Sequence, residues 1–125
     1  MLELMSVCLG GAVGSGARYL LALWIVRACP TVFPVATLTV NVLGSFCLAL
    51  LVELFAGTAA PPLVRLGLTV GLLGGFTTYS AFSHETMLCW QQGHVWTTAL
   101  YVAATVCGCL LACVLGQMLG SRIGA

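Results

Sequence analysis

The side chains best suited to chemistry in this chain are hydroxyls, one amide and a few rings, and they are grouped. Thr77, Thr78 and Ser80 follow directly on Gly74-Gly75, with Tyr79 and Phe82 interleaved. Hydroxyls both donate and accept, so they can cap freed backbone groups or face a ligand. Two consecutive glycines weaken a helix and leave peptide groups uncovered. A second group lies earlier. Thr37, Asn41 and Ser45 are four residues apart, which puts them on one helix face. Tyr79 and Phe82 are three apart and share a face as well, a spacing equally compatible with packing. Catalysis is not indicated, because no nucleophile–base pair or metal set is visible. The chain is read as a non-enzyme. Seven cysteines are present, but the closest group, Cys107, Cys109 and Cys113, has no histidine or carboxylate beside it. They read as small packing side chains.

The elements that must position these groups follow from composition. Of 125 residues, 61% are hydrophobic and 6% charged, with a mean hydropathy of +1.13. A soluble domain of this size carries roughly 25% charged residues. The chain is therefore expected to be an all-α membrane protein in a single domain, 1–125. A spanning helix needs about 20 residues, so four spans fill the length. They are expected at about 4–27, 35–55, 63–91 and 95–120. The N-terminus lacks a basic region, carries Glu3, and reads as the first span rather than a signal peptide. A net charge of +1 and the absence of lysine give no reason to expect a nucleic-acid partner.

The third expected span is too long for one straight helix. An interruption at 74–78 divides it into two half-helices meeting near the membrane midplane. In hydrocarbon an interruption survives only when buried in protein or lining a wet cavity. Asn41 faces the same constraint, and so does Arg18, which lies about two-thirds along the first span. Gly10, Gly14 and Arg18 share one face of that span, and Ala104, Gly108, Ala112, Gly116 and Gly120 form a small-residue seam on the last. Trp24, Trp90 and Trp96 suit membrane surfaces. Arg65 and Arg122 fall on one side and Arg27 on the other, a weak charge bias that is compatible with insertion in both orientations.

Three ordered stretches resemble the Fluc/CrcB family of fluoride channels: residues 10–19 (GGAVGSGARY), 34–46 (PVATLTVNVLGSF) and 74–82 (GGFTTYSAF). The resemblance covers the whole chain. It implies an antiparallel, dual-topology homodimer in the bacterial cytoplasmic (inner) membrane, with two fluoride pores and a central structural Na⁺. It implies that the backbone carbonyls of Gly74 and Thr77 hold the sodium. It assigns the pore to Asn41, Tyr79, Phe82, Ser80 and Thr37, with Tyr101 on the last helix and Glu85 near the mouth. Arg18 is either a structural anchor or a source of background attraction. Three departures stand out: Ala36 where glycine is usual, Ala81 for threonine, and Tyr79 for phenylalanine.

The implied role suits the residue types. Fluoride is small and strongly hydrated, so a pore must replace its water with donors. Neutral hydroxyls, an amide and positive ring edges do so without binding too tightly to release. The alternative, a small proton-coupled multidrug exporter of the four-span dual-topology type, needs a carboxylate deep in the membrane. Glu3, Glu53 and Glu85 all fall near span ends.

Overall fold

The computed structural model describes residues 1–124, and among these the chain is helical throughout, without a strand. Helix α1 runs Leu2–Ala28 and α2 runs Val35–Ala56. Two prolines, Pro30 and Pro34, set the connection between them. A composite helical rod follows, of α3 (Pro62–Leu66), a π-helical stretch (Gly67–Leu73) and a last turn, α4 (Gly74–Phe76). Pro62 opens this rod at a position where no backbone N–H is needed. Helix α5 (Tyr79–Gln91) comes next, then a turn at Gly93 with φ 81°, then α6 (Val95–Ile123).

Three helices, α1, α2 and α6, are each long and apolar enough to cross a membrane. The third expected span is present as two shorter pieces, 62–76 and 79–91, so four crossings fit. The interruption falls at Thr77 and Thr78, the far end of the expected stretch. Gly74 is still helical, with φ −63° and ψ −37°, and the N–H of Thr77 still closes onto the Leu73 carbonyl at 3.0 Å. Gly75 serves close packing instead. A Cβ on Gly75 would lie 2.6 Å from the Gly11 carbonyl oxygen, and one on Gly14 would collide with the Leu72 carbonyl. Glycines on both partners thus let α1 lie backbone to backbone against the rod. The π turns, with their wider i→i+5 bonding, lie along this contact and extend the expected picture.

The other half of the structure is α2 against α6. Gly116 is pressed onto the Phe46 carbonyl, and Gly120 onto the Glu53 side chain. Ala112, Gly116 and Gly120 of the small-residue seam are buried. Helix α5 then lies against α6 and α2, with Phe82 and Cys89 buried. The interrupted segment is held between the α1-facing and α6-facing halves.

Candidate functional site

The interruption is shaped by side chains that take over backbone hydrogen bonds. Thr77 (φ −78°, ψ 158°) and Thr78 (φ −151°, ψ 115°) are extended. Asn41, one turn below Gly44 on α2, grips the second of them twice. Its Nδ2 donates to the Thr78 carbonyl at 3.0 Å, and its Oδ1 accepts from the Thr78 N–H at 2.8 Å. Only one amide orientation satisfies both bonds. Thr78 also starts α5, because its Oγ1 accepts from the Ala81 N–H at 3.2 Å. Gly44 makes room, since a Cβ there would strike the Thr77 methyl.

These bonds redirect two donors. In an unbroken helix the Thr78 N–H would serve the Gly74 carbonyl, and the Ala81 N–H would serve the Thr77 carbonyl. One goes to Asn41 and the other to the Thr78 hydroxyl. The Gly75 carbonyl, between them, receives Ser15 Oγ at 3.4 Å.

A second cluster lies one to two turns further along α5. Glu85 accepts from Thr37 Oγ1 at 2.8 Å through one oxygen and from Tyr101 O–H at 2.7 Å through the other. The carboxylate therefore ties α2, α5 and α6 together. Four rings continue from it: Phe33 edge-on to Tyr101 at 5.6 Å, Tyr101 to Phe82 at 5.2 Å, and Phe82 to Tyr79 at 5.5 Å. Tyr101 is fully buried, Phe82 nearly so, while Tyr79 is 79% exposed.

Two cavities flank this framework. One, of about 310 Å³, is lined by Asn41, Thr77, Thr78, Tyr79, Phe82 and Thr105, with Ser45 and Cys109 behind them. The other, of about 330 Å³, is lined by Ser15, Arg18, Thr37, Thr78, Ala81 and Glu85. Thr78 faces both. Each contains a buried polar atom without a hydrogen-bond partner, Thr105 Oγ1 in the first and Arg18 Nε in the second. Such orphans are rare and point to something the cavity is built to receive.

The residues singled out from sequence are therefore split. Asn41, Tyr79, Phe82 and Thr77 border the first cavity, and Thr37, Glu85 and Arg18 the second. Tyr101 lines neither cavity and joins the site through its O–H on Glu85 and its ring against Phe82. Ser80 is exposed, with its hydroxyl 3.3 Å from that of Thr78. Gly74 is exposed on the rod. Thr105, one turn beyond Tyr101 on α6, is not among the residues singled out from sequence, and that spacing is the signal that could have found it. Ser15, beside the Gly14–Arg18 face, is likewise a site residue that the sequence does not single out.

The chain also resembles known proteins. The family model described as "CrcB-like protein, Camphor Resistance (CrcB)" matches residues 5–117. A relative from an Anaeromyxobacter species (strain K), named "Fluoride-specific ion channel FluC", is 51% identical over 113 residues, 90% of each chain. Relatives of the same name from Chelativorans and Sphingopyxis alaskensis are 46% and 45% identical, the first over 98% of this chain and 99% of its own, the second over the whole of both. With its long apolar helices, the chain is a multi-pass bacterial membrane protein. A match over nearly the full length, together with identity of this order, establishes that the chain belongs to the CrcB-like family.

Proposed function

We propose that this protein is a fluoride-selective channel through which F⁻ leaves the cell down its gradient, lowering cytoplasmic fluoride. The relatives are ion channels by name, and the protein is a channel and no enzyme. One observation carries the reading to this chain. The cavity of about 310 Å³ has an uncharged lining of amide, hydroxyls and ring edges around an orphaned Thr105 hydroxyl. A bare anion finds donors there, and no fixed cation holds it back.

Asn41 has two N–H bonds to give and spends one on Thr78, which leaves the other for the ion. Phe82, pinned between Tyr79 and Tyr101, offers a ring edge in a fixed direction. On the other side of Thr78, Arg18 draws anions in. Thr37 and Tyr101 give their hydroxyls to Glu85, so a fluoride arriving there competes with the carboxylate for those donors. Ser80, beside Thr78, adds a hydroxyl at the start of α5.

The assembly in this reading is an antiparallel homodimer of dual topology, with two pores, the interrupted third span at the membrane midplane and lipid around it. Its support is the weak charge bias and the even number of crossings. A structural Na⁺ at the dimer centre fits the same backbone. The Gly74 and Thr77 carbonyls each lack their helical donor, which goes to Asn41 in one case and to the Thr78 hydroxyl in the other. Hard oxygen ligands of this kind suit a small cation. Bound there, Na⁺ would neutralise the carbonyl ends of two rods and fasten the copies.

Liposomes loaded with potassium fluoride or potassium chloride test the proposal. Valinomycin-triggered efflux should be fast for fluoride and absent for chloride. Equal efflux of both anions, or of neither, would sink it.

A further inference from the structure

We infer that Cys109 is a soft-metal modification site inside the proposed ion path, where a neutral mercuric halide closes the channel by bonding to the thiol. The inference rests on the fluoride-channel reading for its functional consequence and on this chain's own geometry for its location.

The seven cysteines are all free thiols, and their surroundings differ. Cys47 is half-buried on α2 and borders neither of the two cavities described above. Cys89 is buried on α5. Cys113 is engaged, its Sγ lying 3.6 Å from the Ser45 carbonyl. Cys8 and Cys107 are exposed on apolar helix faces, and Cys29 lies in the loop after α1. Cys109 is half-buried and borders the cavity shared by Asn41, Thr78, Tyr79 and Phe82. One turn before it, on the same face of α6, stands Thr105, 6% exposed and with a hydroxyl that has no partner. The orphan hydroxyl marks this face as one that receives a ligand, and the thiol sits beside it.

The chemistry follows from the lining. Thiolates prefer soft metals. A cation would meet no carboxylate in this cavity to attract it, whereas HgCl₂ is uncharged and small enough to enter 310 Å³. The step balances simply. The Cys109 S–H bond and one Hg–Cl bond break, an S–Hg bond forms, and a proton and a chloride leave. No electron is transferred. The remaining S–Hg–Cl unit is linear and takes up part of the cavity that Cys109 shares with Thr105 and Phe82, filling space the ion needs.

The test uses purified protein in fluoride-loaded liposomes treated with HgCl₂. Each preparation is normalised to its own untreated rate. Wild type should lose at least nine-tenths of its fluoride efflux and recover it when dithiothreitol withdraws the metal. Cys109→Ser and Cys109→Ala should each retain most of theirs. Digestion and mass spectrometry should place the adduct on the peptide that carries Cys109. Undiminished wild-type efflux, equal inhibition of the Cys109 variants, or an adduct on Cys109 without loss of efflux would each overturn the inference. Absence of fluoride efflux before any treatment would instead overturn the channel reading, and the adduct position would still report whether the thiol is reachable.

Discussion

The cavity on the α1 side contains a charge of each sign, Arg18 and Glu85, whereas the cavity on the α6 side contains neither. They are similar in size, about 330 and 310 Å³, and share Thr78 as a common wall. The difference separates two requirements that conflict in one place. Collecting a dilute anion is helped by fixed charge, whose reach is about 8 Å at physiological salt. Passing the anion quickly is helped by donors that hold it weakly and in several places. Thr78 divides the two regions, and Asn41 holds Thr78 in position.

Breaking that divider should have the largest effect. Asn41→Asp replaces the Nδ2 donor with a second oxygen, which faces the Thr78 carbonyl, and it places an anion on the wall of the neutral cavity, against the residue that borders both. Fluoride efflux should fall roughly a hundredfold, the equivalent of about 2.7 kcal/mol on the barrier. The folded protein should also lose about 1–3 kcal/mol, because a buried carbonyl is left without its donor. Efflux in liposomes and thermal unfolding in detergent measure the two effects. Unchanged efflux would remove Asn41 from the path.

The neutral cavity is tested next through Phe82, which is 7% exposed and fixed by rings on both sides. Phe82→Ile keeps an apolar side chain but removes the ring edge. Efflux should drop roughly tenfold, the equivalent of about 1.4 kcal/mol, while chloride remains excluded. A Phe82→Ile variant that conducts like wild type would make this ring a packing element alone.

The charged cavity should respond less, and in a different manner. Arg18→Gln removes the attraction but leaves the donors of the other cavity intact. Efflux should fall about threefold at low ionic strength and approach the wild-type rate in high salt, where screening already removes the attraction. A salt-independent loss would mean that Arg18 is an anchor for neighbouring structure.

How far the sequence foretells this arrangement depends on how local each feature is. The stripe Thr37–Asn41–Ser45 is visible because one helix repeat generates it. The interruption of the third span is visible because length and glycine content demand one, and so is the stretch 74–78 in which it falls, but the exact residues are not. Gly74-Gly75 looks like the weak point, yet α1 packs onto Gly75 and supports it, and the helix gives way at Thr77-Thr78, where Asn41 competes for the backbone. The Glu85 cluster is less visible still. It draws Thr37, Glu85 and Tyr101 from α2, α5 and α6, and no spacing in the chain links them. The π turns have no sequence marker at all.

Tyr79 is where the smallest effect is expected, and the reason is its exposure. Its ring lies 5.5 Å from Phe82 and borders the neutral cavity, but 79% of the side chain is open in the single protomer. The phenol O–H makes no hydrogen bond among the described residues, so removing it leaves none of them stranded. Tyr79→Phe keeps the ring and its positive edge. If the edge is what the ion meets, efflux should stay within about twofold of wild type, a change below roughly 0.5 kcal/mol. A loss greater than tenfold would show instead that the hydroxyl contacts the ion directly. The neutral cavity would then depend on hydrogen-bond donors more than on rings, and the contrast with the charged cavity would rest on charge alone.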